Sequence, residues 1–308
     1  MLRIALVGDI HGQWQAPEDT LALQALGVDL VLFVGDFGNE EVGITQAIAE
    51  LPLRKAVILG NHDGWYTVTD WGRKKCPYDP NRENRVRQQL DLLGGDHVGY
   101  GRREFPELGL AVVGARPFSW GGQDWKQGSF YLEYYGVESM EASGIKIAEA
   151  IAATTCPNLI LLGHNGPYGL GADQHDPCGR DWQPVGGDHG DPDFASALAY
   201  AYTIGKHIPL VAFGHMHHQL RHSPVPRRSI AVNEWGTVFV NGAIVPRLQA
   251  YSEHEYLRCF TLITLGGEST KQYVRSIDIV WLDPAYHIMQ TTNTYTCVPP
   301  LASLCYPN

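Results

Sequence analysis

Side chains able to bind metal ions follow a glycine at five separate points of the chain, and each glycine closes a short apolar run. They are Asp9 and His11, Asp36, Asn61 with His62 and Asp63, His164, and His215 with His217. Aspartate, asparagine and histidine form a mixed oxygen and nitrogen donor set, which suits Mn, Fe, Zn or Mg rather than a soft thiolate-bound ion. The seven candidate ligands are Asp9, His11, Asp36, Asn61, His164, His215 and His217. Seven are too many for one tetrahedral zinc, but they suit two ions with a bridging aspartate.

Two ions held about 3.5–4 Å apart stabilise the attacking and leaving oxygens of an in-line displacement at phosphorus. Each motif alone has an ordinary structural explanation. An aspartate after a glycine is often a helix N-cap or a turn residue, and a single histidine at a strand end is usually a hydrogen-bonded polar residue. All five motifs occur in order after five strand-like runs. We therefore predict metal-assisted hydrolysis of a phosphoester.

The first third of the chain alternates predicted strands with predicted helices. Apolar runs at 3–8, 29–35 and 55–60 predict buried strands, and the segments 17–26 and 40–51 predict helices. This βαβαβ order predicts a parallel sheet with crossover helices. Ligands bind at the carboxyl ends of such strands, and a glycine there lets the backbone turn sharply toward the crevice.

Further strands and helices complete a predicted α/β fold, with two sheets flanked by helices. Strands are predicted at 109–115, 158–163, 208–214, 229–233, 237–241, 259–265 and 273–282, and helices at 83–93, 138–153 and 194–206. The segments 64–82, 116–136 and 165–193 are predicted as loops. We predict one domain over residues 1–285 and an irregular tail over 286–308.

Composition limits the partners. The formal net charge of -10 argues against binding of long nucleic acid, whereas a small phosphorylated substrate is compatible because bound metal inverts the local potential. The N-terminal apolar run is too short for a signal segment, and no run suits a membrane span. Six cysteines without a CxxC pair suggest free thiols and a cytoplasmic protein. A bridge between Cys297 and Cys305 after oxidation is the alternative.

Together, the motifs GDIH, GD, GNHD, GH and GHMH between residues 9 and 217 resemble those of the calcineurin-like metallophosphoesterase superfamily. The segments CGRDW and GGDHGDPD, within 178–193, are also similar to a subgroup from photosynthetic lineages. The resemblance implies a four-layer α/β/β/α sandwich. It also implies two divalent metal ions, with Mn favoured, and a hydroxide that bridges them and attacks phosphorus.

The resemblance further implies a role for each residue. Asp36 bridges the two ions, His62 is a proton donor or transition-state stabiliser, and Asp63 orients His62. One ion is held by Asp9, His11 and His217, and the other by Asn61, His164 and His215.

Two departures from the family pattern argue against a protein phosphatase. Those enzymes carry a phosphate-binding Arg soon after GNH, whereas this chain has no Arg after that motif until Arg73. The Asp that often follows GD by three residues is replaced by Asn39.

Loop residues supply the candidate substrate contacts. In the loop 165–193, Arg180 is a candidate phosphate ligand and His189 a candidate metal or substrate contact. This loop is predicted either as a lid or as a self-packed surface loop. Arg116 follows another strand-like run and is a third candidate. The aromatic residues near it line either a base-stacking pocket or an edge of the core, and they are Phe118, Trp120 and Trp125.

We therefore predict a phosphodiesterase or nucleotide hydrolase, with a small-molecule phosphomonoesterase as the second choice. Two alternatives stay open, a non-catalytic interaction module on the same fold and an unrelated metallohydrolase that acts at carbon. The metal ligands together with His62 and Asp63 favour the enzyme, because a scaffold has no need of that complete set.

Overall fold

The computed structural model describes residues 1–297, which contain two β-sheets. The strands of the first sheet run in the order β13-β12-β11-β1-β2-β3, and β10 pairs with β11. Parallel pairing joins β1, β2 and β3, and antiparallel pairing joins β1 to β11. The strands are β1 (Leu2–Val7), β2 (Leu30–Phe33), β3 (Lys55–Val57), β10 (Leu248–Ala250), β11 (Tyr256–Glu268), β12 (Lys271–Leu282) and β13 (Ile288–Thr296).

The second sheet has six strands in the order β4-β5-β6-β7-β9-β8. Its four central strands, β5, β6, β7 and β9, are parallel, and its two edge strands are antiparallel to their neighbours. The strands are β4 (Arg102–Phe105), β5 (Leu110–Gly114), β6 (Asn158–Leu162), β7 (His207–Phe213), β8 (Ile230–Val232) and β9 (Val238–Asn241).

Eight α-helices connect these strands, and none within residues 1–297 has both the length and the apolar character needed to cross a membrane. They are α1 (Ala16–Ala25), α2 (Val42–Ala49), α3 (Trp65–Val68), α4 (Asp70–Lys74), α5 (Arg85–Leu93), α6 (Gly128–Tyr135), α7 (Met140–Ala152) and α8 (Pro192–Thr203). The predicted α/β class with two sheets is confirmed. Short helices α3, α4 and α6 lie in segments that were predicted as loops.

The alternation of side chains between the two faces of the central strands explains how the sheets and helices pack in layers. Successive strand side chains point to opposite faces, so Ile4 and Leu6 of β1 join one buried cluster with Ile160 and Leu162 of β6. Ala5 instead belongs to a second buried cluster, which also contains side chains of α1, α2, α7 and α8. The first cluster lies between the sheets and the second packs helices on their outer faces, which gives both faces of each central strand an apolar contact.

The predicted irregular tail is wrong over Ile288–Thr296, because these nine residues form β13 and pair with β12. Most of the strand is exposed, so it lacks the apolar alternation that reveals a half-buried strand. Its threonines nevertheless have high β-propensity. Cys305 lies outside the described residues, and Cys297 forms no disulfide with another cysteine of residues 1–297.

Candidate metal centre

Five parallel strands deliver the predicted ligands to one place where the two sheets meet. Three of these strands, β1, β2 and β3, belong to the first sheet, and β6 and β7 belong to the second. The backbone N–H of His215, after β7, donates to both carboxylate oxygens of Asp9, after β1, at 3.1 Å. Nδ1 of His164, after β6, lies 2.6 Å from the carbonyl oxygen of Val34, after β2. The site therefore depends on the packing of both sheets.

The glycines before the ligands allow close approach rather than only a turn. A Cβ on Gly60 would lie 2.4 Å from Oδ1 of Asp36, and one on Gly214 would lie 2.4 Å from Oδ2 of Asp9. Of these glycines, Gly35 has a positive φ of 88°, and positive φ angles also occur on ligands, including 51° at Asp9, 55° at Asp36 and 66° at His215. Non-glycine residues are uncommon in this region and occur there mainly at functional sites.

Three groups of residues each bring their ligand atoms within 4.8 Å of one another. His11 belongs to two of the groups and Asp36 belongs to two, so the three groups overlap and form one continuous cluster. Asp36 places Oδ2 at 3.9 Å from Nε2 of His11 and Oδ1 at 3.4 Å from Nε2 of His164. The groups are Asp9, His11 and His217; His11, Asp36 and His62; and Asp36, His164 and His215. A carboxylate between two histidine groups has the position that a bridging ligand needs.

The contacts of His164 test whether this donor set fits a cation. A backbone carbonyl such as that of Val34 only accepts hydrogen bonds, so Nδ1 of His164 carries the proton and Nε2 presents a lone pair. That Nε2 lies 2.8 Å from Oδ1 of Asn61, which is also an acceptor in this orientation. Two facing lone pairs repel, and a metal ion between them would remove the repulsion. The residues therefore fit a metal ion.

The charges of the cluster fit a cation as well. Burial and the negative charge of Asp9 raise the pKa of Asp36 well above its ordinary value. Burial also raises the pKa of Asp9, but its hydrogen bond and charge interaction with His217 outweigh this and lower the pKa. Nε2 of His11 lies 3.1 Å from Nε2 of His217, so two imidazole nitrogens face each other. A divalent cation would favour the ionised carboxylates and the unprotonated nitrogens together.

His62 lies beside the ligands and is held on two sides. Nδ1 of its ring lies 2.6 Å from Oδ1 of Asn39, and the ring stacks on Trp65 with centroids 4.3 Å apart. Burial and the charges of His11 and His164 lower the pKa of His62 to about 3. Asn39 thus stands at the position where the family often has an Asp, three residues after Asp36, and it contacts the ring of His62.

The predicted contact between Asp63 and His62 is wrong. The buried carboxylate of Asp63 accepts hydrogen bonds from the backbone N–H groups of Asp36 and Phe37 at 2.9 and 2.8 Å. It also accepts from Gly60 at 2.7 Å. Asp63 therefore links the loop after β2 to the loop after β3, because its carboxylate accepts hydrogen bonds from backbone groups of both loops.

Arg116 does not contact the metal centre. It is buried, with Nη2 at 2.8 Å from Oδ1 of Asp191 and Nε at 2.9 Å from Oδ2 of Asp193. These carboxylates flank the start of α8, about 75 residues further along the chain. The sequence position of Arg116 after a strand does not reveal such distant partners, and it therefore suggested a substrate contact. The prediction that Arg116 binds substrate is corrected to a buried ion pair.

The loop 165–193 is held by polar contacts within the loop and by Arg227, which lies outside it. Nη1 of Arg227 donates to the carbonyls of Gln174, Asp176 and Gly179 at 2.6–2.9 Å. Nε of Arg180 donates to the carbonyl of Gly186 within the loop, and the role of Arg180 as a phosphate ligand stays a prediction. These contacts agree with the self-packed alternative, although part of the loop faces the metal centre.

A cavity of about 800 Å³ opens beside the ligands. Of the predicted contacts, His189 and Trp120 line it, whereas Phe118 is fully buried and Trp125 packs on Tyr131. The lining residues that sequence reasoning missed include Trp65, Trp71, Lys126, Trp182 and Arg221. Trp182 lies in the CGRDW segment and Trp65 two residues after GNHD, so their proximity to motifs was the available signal.

Comparison with known proteins identifies one family. A family model described as calcineurin-like phosphoesterase matches residues 2–219. This span contains all five ligand-bearing strands and every candidate ligand. A search of the curated proteins finds no match.

Several solved structures are similar to this chain at low sequence identity. A dimetal phosphatase from Danio rerio is 11% identical over 96% of this chain and 99% of its own, with a TM-score of 0.46. A calcineurin-like phosphoesterase from Bacillus subtilis is 14% identical over 94% of this chain and 92% of its own, with a TM-score of 0.44. A phosphopantetheinyl hydrolase from Mycobacterium tuberculosis is 14% identical over 77% of this chain and 87% of its own, with a TM-score of 0.43.

Proposed function

Because the chain belongs to the calcineurin-like phosphoesterase family and is a hydrolase of ester bonds, we propose that it cleaves a small phosphodiester or nucleotide-type substrate at a dinuclear metal site. The observation that carries this proposal is the set of three overlapping His and Asp groups, in each of which the ligand atoms lie within 4.8 Å of one another. The position of Asp36 between His11 and His164 supports its role as the bridging ligand.

The remaining ligands divide on either side of Asp36. One ion would be held by Asp9, His11 and His217, and the other by Asn61, His164 and His215. When bound, such ions lower the pKa of water toward neutrality and neutralise phosphate oxygens. Mn is the favoured metal, since the set combines carboxylate, amide and imidazole donors without thiolate.

His62 is the proposed partner of the leaving oxygen. Asn39 accepts from Nδ1–H as oriented, so Nε2 is the ring nitrogen that is available to a substrate. Nε2 of the neutral ring carries only a lone pair, and the ring can donate to the leaving oxygen only as the imidazolium, in which both nitrogens carry a proton. A proton or hydrogen bond delivered to the leaving oxygen is worth roughly 10²–10⁴ in rate. Asp63 has a structural role in this proposal, because it holds the loops that carry Asp36 and Asn61 and does not contact the imidazole of His62.

The cavity supports a substrate with a group esterified to the phosphate. Its walls include four indole rings, which can bury an apolar group that a bare phosphate lacks. A small-molecule phosphomonoester remains the second candidate. A cytoplasmic location belongs to the same proposal and is supported by the five free cysteines among residues 1–297.

The deciding experiment compares bis-p-nitrophenyl phosphate with p-nitrophenyl phosphate after chelation and addition of Mn²⁺. We expect metal-dependent turnover with a higher kcat/KM for the diester. A preference for the monoester would select the second candidate. Two bound metals without turnover of either compound would favour the non-catalytic module, and turnover of only carboxylic esters would favour a carbon-centred hydrolase.

Metal analysis tests the ligand roles separately from turnover. The wild-type chain is expected to bind two Mn²⁺ equivalents. Asp36→Ala is expected to bind fewer than two, because both ions lose a shared ligand, while Asp188→Ala, a change in the loop 165–193, keeps two. Retention of two equivalents by Asp36→Ala would overturn the bridging role.

A further inference from the structure

Four of the chain's eight tryptophans line the cavity beside the metal ligands, namely Trp65, Trp71, Trp120 and Trp182. We propose that these residues form a subsite for the nucleobase of a nucleotide-type substrate. The inference rests on the proposed function and narrows it from phosphoesters in general to those that carry a planar heteroaromatic ring. The cavity of about 800 Å³ lies within the size range of small-molecule sites.

The aromatic surface begins at the metal centre itself. His62 stacks on Trp65 with ring centroids 4.3 Å apart and an interplanar angle of 17°, and Trp65 stacks on Trp120 at 5.2 Å and 29°. A substrate whose phosphorus lies at the ligands would therefore have its organic group against indole rings. This continuity connects the chemistry at phosphorus to recognition of the attached group.

Trp71 provides an aromatic surface that the fold does not use. Its side chain is 58% exposed and its ring stands perpendicular to that of Trp65, at 89° with centroids 5.7 Å apart. Trp65 already stacks on His62 and Trp120, so a planar ligand would stack on the exposed ring of Trp71. An exposed tryptophan at the mouth of a cavity thus gains a contact when a planar ligand binds.

Two cations distinguish the class of ligand. Lys126 and Arg221 are exposed residues that line the cavity, and neither forms a salt bridge within the part of the chain that the structure describes. The guanidinium carbon of Arg221 lies 5.8 Å from the ring centroid of Trp182. Tryptophans alone would also suit a quaternary ammonium group, but two unpaired positive side chains favour an anionic ligand.

Paired ligands isolate the contribution of the base. Adenosine 5′-monophosphate and ribose 5-phosphate share the phosphate and the sugar and differ in the base. Dissociation constants are measured by calorimetry with Mn²⁺-loaded protein, and phosphocholine serves as the cationic comparison. Stacking of one base on aromatic side chains predicts a preference for the nucleotide of roughly 5- to 150-fold.

Variants then assign that preference to the subsite. Trp71→Leu is expected to reduce the ratio of the two affinities toward one, and Trp71→Phe to restore part of it. Trp235→Leu is the matched control, since Trp235 is also an exposed tryptophan but stacks on Tyr202 instead. Because Trp71 is largely exposed, its replacement is expected to keep the thermal midpoint.

The outcomes separate the subsite from the proposed function. Equal affinity for the two sugar phosphates, an unchanged ratio in Trp71→Leu, or tighter binding of phosphocholine overturns the subsite even if diesters are hydrolysed. Selective nucleotide binding that Trp71→Leu abolishes upholds the subsite even if no phosphoester is turned over, and in that case the proposed function alone fails.

Discussion

Nδ1 of His62 lies 2.6 Å from the side-chain oxygen of Asn39, three residues after the proposed bridging ligand Asp36. The amide thus takes the place of a carboxylate and holds the ring without adding a negative charge. Since Trp65 covers one face of the same ring, His62 is fixed both in orientation and in position. Asn39 is therefore a positioning residue for the proposed proton donor.

Replacement of Asn39 tests this positioning. Asn39→Leu removes the acceptor at similar size, and loss of such a supporting contact typically costs about 10- to 100-fold in activity. We expect kcat to fall while KM and metal content change little, and the loss to be greater for substrates with poor leaving groups. Asn39→Asp keeps an acceptor and should retain most of the activity. An equal loss for good and poor leaving groups would contradict a role through His62.

Substitution of Asp63 is expected to act on stability rather than on the leaving group. Both carboxylate oxygens of Asp63 accept hydrogen bonds from backbone N–H groups, which belong to Asp36, Phe37 and Gly60. Asp63→Asn replaces one of these oxygens by an NH₂ group, which cannot accept, and leaves a weaker acceptor as the other. An unsatisfied buried donor costs about 1–3 kcal/mol, so the urea midpoint and the Mn²⁺ affinity should both fall. His62→Asn is the comparison, with lower kcat and nearly unchanged stability. If Asp63→Asn reproduced that second pattern, the originally predicted contact with His62 would be restored.

The ligand positions were predictable because each follows a buried strand directly, and parallel strands deliver their carboxyl ends to one edge. The contact between Asn39 and His62 was not, since it joins two loops whose relative rotation no spacing encodes. Asp63 shows the reverse error, because adjacency in sequence to His62 suggested a contact that the turn directs elsewhere. For Arg116, the carboxylates that neutralise it lie about 75 positions further along the chain. Only tertiary packing reveals such partners.

Arg116 is expected to contribute stability and no substrate affinity. Breaking a buried ion pair by removing one partner destabilises a protein by about 3–5 kcal/mol, so Arg116→Met should lower the urea midpoint strongly. At a temperature where the variant is folded, KM for a phosphodiester should match the wild type. Arg54→Met is the control, because Arg54 forms a solvent-exposed ion pair with Glu107. A rise in KM for Arg116→Met at unchanged stability would contradict the buried ion pair.

His97 provides a pH dependence of stability away from the metal centre. Its Nε2 atom is shielded from solvent and has no hydrogen-bond partner within residues 1–297, and burial lowers its pKa from 6.5 to about 4. The unfolded chain therefore takes up a proton below about pH 6.5, whereas the folded chain does so only near pH 4. Stability that is complete above pH 6.5 is consequently lost as the pH falls toward 4.

The measurement compares wild type with His97→Gln, which cannot titrate, so that the other ionisable groups cancel in the difference. With 1.36 kcal/mol per pKa unit, the free energy of unfolding of the wild type relative to the variant should fall by about 2 kcal/mol between pH 7.5 and pH 5. Urea titrations at the two pH values give this difference directly. The same difference at both values would mean that His97 reaches solvent or a partner in the folded chain, and that its pKa is not lowered.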